Sequence, residues 1–332
     1  MDVAVLAVHG AFDSGLTSVL DVLDTANALR EQIDRPPQPW QVTTLGIRRQ
    51  VRTRAGHIVR TKLRRDLTRQ PELLIVPALG VKEPTALVEE LTAEHCRPVL
   101  RLITEAKASG VALAGACTGT FFLAEAGVLD GMEATTSWWL GPAFRQRYPA
   151  VRLDDSLALV QTDRVTTAGA AFAHIDLALS VVQRQSPALA DLVARYLLIG
   201  DRQSQATFAL PTLLAKHDPV MSEFERWVRD HLDTPIQIAT AAHAVGLSER
   251  TLQRTTASTV GMSPIDFVNE VRIDHATFLL RTTNLTVDAV ATKVGYQNAS
   301  TLRSLVRRRR SMTIGQIRHG GAATSQPPGE PT

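Results

Sequence analysis

Cysteine is scarce: Cys96 and Cys117 are the two in 332 residues, which excludes a fold framed by disulfides. A reducing cytoplasm is the expected setting. Long apolar runs are missing as well, none approaching the roughly 20 residues that a membrane-crossing helix needs. Asp2 follows Met1 directly, with no basic stretch ahead of the first apolar run, so no secretory signal is expected. Large net charge is absent, since 36 Lys+Arg oppose 33 Asp+Glu. The small excess is unevenly placed: residues 1–215 balance at 22 against 22, whereas residues 216–320 carry 14 against 10, a local +4. Arg307–Arg310 is its densest point, which suits a phosphate-bearing partner or, equally, a solvated helix face.

What is present fills two domains. Val3–Val8, Leu73–Val76 and Val111–Gly115 are short continuous apolar runs of the kind buried on both faces of a parallel sheet. Strand and helix patterns alternate to about Arg184, with helices expected over 17–30 and 84–110. An α/β domain with a mostly parallel sheet sandwiched by helices follows, over 1–185. Residues 186–219 read as a connector containing a helical piece at 188–199. From Met221 the pattern is helical throughout, giving an all-α domain over 220–319. Residues 320–332 lack apolar periodicity and are expected to be disordered.

Gly115-Ala-Cys-Thr-Gly119 lies at a strand-to-helix turn, a nucleophile-elbow arrangement with Cys117 in the nucleophile's place. Helix amides there stabilise a thiolate or bind an anion. A thiol needs a base to become a useful nucleophile. His9 at a strand end, His174 on a helix surface and the acid Asp13 are the candidates. Three readings stay open: a Cys-His-acid hydrolase or amidase; a non-catalytic pocket in which Asp13, Cys117, Thr118, Gly119 and Ser137 contact a small effector; and an inherited scaffold serving dimerisation. No metal and no cofactor is expected.

The C-terminal third says one thing twice. Ile238–Gly246 followed by Leu247–Arg254 parallels Val287–Gly295 followed by Tyr296–Arg303. Each copy is a short amphipathic run, a glycine, and a polar-faced run, the sequence form of a helix-turn-helix. Between them Ser263–Arg281 is a long amphipathic helix, with Ser263 placed to cap it and Pro264 at its first position. In the second runs Ser248, Glu249, Arg250, Gln253, Arg254, Asn298, Ser300, Thr301 and Arg303 offer contacts to base edges and phosphates. Arg307 and Arg308 are placed to neutralise phosphate.

Two resemblances follow from these motifs. Cys117–Gly131, Ala134-Thr-Thr-Ser-Trp138 and Val165–Leu179 resemble the DJ-1/PfpI domain, a class I glutamine amidotransferase-like fold, in the version fused to transcription regulators. Protease-like members carry histidine where this chain has Thr118, and regulator-type members usually carry histidine where it has Ser137. Gly246–Arg254, Gly261–Pro264, Arg272–Ala276, Leu279-Leu280 and Val294–Tyr296 resemble the AraC/XylS DNA-binding domain, with two helix-turn-helix units on a linker helix. The resemblance implies recognition helices near 248–260 and 298–309 entering successive major grooves of promoter DNA. It also implies an effector-responsive activator that works with RNA polymerase, while the DJ-1/PfpI resemblance implies a homodimer. Both copies depart from that pattern, Thr256 in the first and Val306 in the second standing where phenylalanine is usual; the second departs further, with Leu302 also in place of phenylalanine and a closing segment that has drifted. Base readout is therefore expected mainly from the first copy, and backbone affinity from the second.

Overall fold

The computed structural model describes residues 1–162, 164–200, 205, 211–216, 218–310 and 312–318. The chain splits into two compact units, Met1–Ala206 and Thr207–Thr332. The expected disordered segment 320–332 lies outside the described residues.

The first unit contains strands β1 (Asp2–Leu6), β2 (Gln41–Leu45), β3 (Gln50–Arg52), β4 (Ile58–Arg60), β5 (Leu73–Val76), β6 (Ala112–Ala116), β7 (Glu133–Ala134), β8 (Arg152–Leu153), β9 (Leu159–Gln161) and β10 (Val165–Ala168). Its helices are α1 (Asp13–Leu29), α2 (Pro84–Thr92), α3 (Arg97–Ala108), α4 (Gly119–Glu125), α5 (Gly141–Arg147), α6 (Ala173–Gln185) and α7 (Pro187–Tyr196). Six strands form one sheet in the order β2-β1-β5-β6-β10-β9, parallel throughout except for the β9 edge. Side chains alternate across it. Val3 and Val5 join α1, α6 and α7 in one core, while Ala4 and Leu6 join α3, α4 and α5 in the other. Burial on both faces is why these strands are continuously apolar.

Local chemistry corrects two expected boundaries. The helix expected over 84–110 is two, because Ala93 is extended and Pro98, which has no N–H to give, sits in the first turn of a new helix. Asp13, not Thr17, opens α1. The stretch expected as a connector, 186–219, is shared out. Ser186 caps α7, which buries Leu189 and Val193 against the core beneath α1 and α6. Its last helix, α8 (Pro211–Ala215), belongs to the second unit.

The second unit continues with α9 (Pro219–Asp230), α10 (Ile238–Ala244), α11 (Glu249–Val260), α12 (Pro264–Thr282), α13 (Val287–Lys293), α14 (Ala299–Arg310) and α15 (Ile314–Arg318). It has two small cores with α12 common to both. Phe267, Val268 and Val271 pack with α9, α10 and α11; Ile273, Ala276 and Leu280 pack with α13, α14 and α15. Among the described residues no helix is long and apolar enough to cross a membrane.

Leu302 of α14 is fully buried in the second of these cores. Leu302→Ala should cost about 2–5 kcal/mol, read from denaturant unfolding of the full chain. Arg308→Ala, at an exposed position, should change stability by no more than about 0.5 kcal/mol.

Candidate DNA interface and elbow site

The two helix-turn-helix copies are closed by the same hydrogen bonds. Gly246 and Gly295 adopt φ of 70° and 76°, a left-handed conformation that glycine takes without a Cβ penalty. Beyond each glycine the chain turns back: Leu247 N–H donates to Ala242 O and Tyr296 N–H to Ala291 O, both at 2.9 Å. The polar helices then start on side-chain caps. Ser248 Oγ accepts from Thr251 N–H at 3.2 Å, and Asn298 Oδ1 accepts from Thr301 N–H at 3.0 Å. The second turn is one residue longer, since Gln297 precedes its cap.

All eleven residues expected at DNA are exposed: Ser248, Glu249, Arg250, Gln253, Arg254, Asn298, Ser300, Thr301, Arg303, Arg307 and Arg308. Four of them also have internal duties. Ser248 and Asn298 are caps, and the hydroxyls of Ser300 and Thr301 donate to Asn298 Oδ1 at 2.6 and 3.0 Å. The arginine run divides. Arg307 and Arg308 stay exposed, whereas Arg309 and Arg310 turn onto α12. Arg309 pairs with Asp266 and, at 3.2 Å, with Glu270; Arg310 pairs with Glu270 and Asp274, each at 2.8 Å. Glu270 is only 3% exposed, so these arginines neutralise a buried carboxylate. The acids at 266, 270 and 274 recur every four residues, a spacing that puts them on one helix face.

The positions that lack the usual phenylalanine are filled differently. Thr256 is fully buried and returns its hydroxyl to Leu252 O at 2.8 Å, with Met221 Sδ at 3.6 Å. Leu302 and Val306 are fully buried.

The elbow forms where β6 meets α4. Cys117 has φ 55°, left-handed backbone held in place by Cys117 N–H donating to Ala168 O at 2.9 Å. Thr118 Oγ accepts from Leu79 N–H at 2.6 Å and donates to Leu79 O at 3.1 Å. Gly119 lies so close to Val76 O and Pro77 O that a side chain there would collide with backbone. Ser137 is fully buried and its hydroxyl donates to Cys117 Sγ at 2.8 Å. Burial pushes the Cys117 thiol up, against the opposing hydrogen bonds from Ser137 and Thr118 N–H.

Two of the three candidates, His174 and Asp13, are engaged elsewhere. His174, expected on a helix surface, is fully buried. Its Nδ1–H donates to Ala171 O at 2.5 Å and its Nε2 accepts from Ala78 N–H at 3.1 Å, so the one lone pair is used. Burial holds this ring down at about 4, against the hydrogen bond to Ala171. Asp13 faces the β3–β4 hairpin, accepting from Ala55 N–H at 3.0 Å and lying 2.7 Å from His57 Nδ1. Burial would raise its carboxyl, but hydrogen bonds from Thr53, His57 and Ala55 outweigh it and hold it at about 2. His9 is exposed. Thus Cys117, Thr118, Gly119 and Ser137 come together, and Asp13 is tied to the β3–β4 hairpin.

Sequence reasoning missed the layer behind the elbow. Thr136 Oγ donates to Cys117 O at 2.8 Å, and Thr135 N–H donates to Thr167 Oγ at 2.9 Å. Gln205 reaches the same layer from a stretch with no apolar pattern to mark it. Elsewhere Glu90, His95 and Cys96 bring ligand-type atoms within 4.8 Å of one another, and His95 Nε2 lies 2.8 Å from Glu90 Oε1. Burial first, then the Glu90 charge, pushes the Cys96 thiol up to about 11.

A helix-turn-helix domain model matches residues 241–320, covering both copies. The HTH-type transcriptional regulator CdhR of Pseudomonas aeruginosa is 32% identical over 67% of this chain and 68% of its own length. The chain belongs to the AraC family of helix-turn-helix transcriptional regulators. It spans 56% of the length of two further regulators that it matches. Among solved structures, a candidate transcriptional regulator from Vibrio parahaemolyticus matches with TM-score 0.50 and 20% identity, covering 59% of this chain and 98% of that one. That likeness is one of fold. Drosophila melanogaster DJ-1beta matches with TM-score 0.47 and 17% identity, over 60% of this chain and 98% of that one. The architecture is an α/β unit with a mostly parallel sheet followed by an AraC-type helical unit, and the hydrolase alternative is not favoured.

Two outcomes follow for this regulator. Neither buried thiol should react with Ellman's reagent in the folded chain at pH 8, and both should appear in denaturant; a fast native thiol would contradict the elbow described above. His174 has a folded value near 4 against 6.5 when unfolded. Its neutral ring therefore contributes fully above about pH 6.5, and that contribution is lost as pH falls toward 4. The urea midpoint of the first unit should drop between pH 7 and pH 5, and His174→Phe should flatten that drop.

Proposed function

We propose that this chain is an effector-responsive regulator of promoters, active as a homodimer in the cytoplasm and working with RNA polymerase as an activator. Its first unit is the sensor, with Asp13, Cys117, Thr118, Gly119 and Ser137 marking the effector region. Its second unit binds duplex DNA. In this reading α11 supplies base readout through Glu249, Arg250, Gln253 and Arg254. Helix α14 adds Asn298, Ser300, Thr301 and Arg303, with phosphate contacts from Arg307 and Arg308.

The observation that carries the reading is the duplicated helix-glycine-helix, each closed by the same backbone hydrogen bond after its glycine, with every candidate contact exposed. The elbow is taken as non-catalytic. What supports this is a buried thiol pushed up rather than down, and a histidine whose only lone pair is occupied.

Gel shifts on the chain's own upstream region test the proposal. Arg254→Ala should weaken binding by about 1–3 kcal/mol and relax sequence preference at one position. Arg307→Ala should weaken all sequences alike and reduce the slope of log affinity against log salt by about 1. A wild-type chain without sequence preference at moderate salt, together with unchanged binding by Arg254→Ala, would overturn it.

A further inference from the structure

The Gln205 side chain fills a polar socket at the carboxyl end of β10. Its Oε1 accepts from Ala170 N–H at 3.0 Å. Its Nε2 donates to Thr136 O at 2.7 Å, Leu157 O at 3.1 Å and Thr135 Oγ at 3.3 Å. Thr135 and Thr136 are fully buried and Gln205 is 5% exposed. Gly169 leaves the space: a Cβ there would stand 2.6 Å from both amide heteroatoms. The Gln205 N–H donates to Ser156 O at 2.9 Å, fixing the backbone as well.

This partner set is selective. It offers one donor and three acceptors, all uncharged. A primary carboxamide matches it with one C=O and two N–H groups. A carboxylate would face two carbonyl oxygens. An ammonium or guanidinium would leave Ala170 N–H without an acceptor, and a tertiary amide or quaternary amine has no N–H to give. Unmade hydrogen bonds in a buried site are costly, so each of these is rejected. The socket also adjoins the elbow, because Thr136 donates to Cys117 O and Ser137 to Cys117 Sγ.

We propose that this socket is a binding site for small primary carboxamides, occupied in cis by Gln205, and that a free carboxamide competes with that side chain. Gln205 stands six positions before Pro211, which opens α8 of the DNA-binding unit. The proposal rests on the effector-responsive reading above and gives its ligand a chemical class. A side chain held in cis competes at an effective concentration on the order of mM, so a free carboxamide must exceed that level or add contacts.

Chemical rescue in the full chain tests it. Gln205→Ala removes the atoms of acetamide. Exchange of the Ala170 N–H should accelerate about ten-fold in this variant, the scale of one lost hydrogen bond. Acetamide should restore the protection, whereas acetate and N,N-dimethylacetamide should not. In the wild type, excess acetamide should accelerate exchange at Gln205 N–H while Ala170 N–H stays protected. Gly169→Ala, which evicts the amide sterically, gives a second route if Gln205→Ala does not fold, and should show the same fast Ala170 exchange. Rescue no better with acetamide than with the two controls, or a wild-type Gln205 N–H indifferent to acetamide, overturns the proposal. No DNA enters these measurements, so a chain that fails to bind its promoter leaves the socket standing, and a failed rescue leaves the DNA reading standing.

Discussion

At the carboxyl edge of the sheet the backbone leaves its strands while still buried, and each freed polar group there must find a partner. Side chains supply them. Thr118 closes both groups of Leu79, and His174 takes the N–H of Ala78. Thr136 takes Cys117 O, and Gln205 takes Ala170 N–H. The left-handed backbone at Cys117 persists because its neighbours are fixed in this way. The same bonds spend polar groups around the elbow on holding the turn.

The helical unit meets the same constraint at its helix ends and solves it with glycine. A left-handed residue lets the chain fold back five residues, closing α10 and α13 identically. What joins the two copies is α12. Arg272 from this helix donates to Thr234 O at 2.8 Å, in the link ahead of α10, and stacks over Tyr296 of the second turn at 5.4 Å. Glu270 on the same helix anchors Arg309 and Arg310. The inequality of the copies is thus less a loss than a reassignment. Part of the basic run of α14 holds the unit together, and Arg307 and Arg308 remain exposed.

Much of this was legible in the residues. Continuous apolar runs announced a sheet covered on both faces, because no face of β1 or β5 meets water. Gly246 and Gly295, each at the same distance past an amphipathic run, announced the two turns. The elbow was legible as Gly-x-Cys-x-Gly, but the burial of His174 was not. Its position on α6 has the same spacing whether that helix turn faces solvent or Gly15 of α1. Gln205 was illegible for a related reason: its partners lie 35 to 70 positions away along the chain.

Sequence by itself determined the elements, their order, the duplicated helix-turn-helix and the exposed polar face of each recognition helix, because these follow from local periodicity and from residues that act on their own backbone. Tertiary structure decided which polar groups remain available. It used up His174, paired two of four arginines with α12, tied Asp13 to a hairpin and set an amide in the socket beside Cys117. Such choices depend on groups brought together from distant positions, and burial makes each pairing compulsory, since an unpaired polar group in a dry interior is expensive.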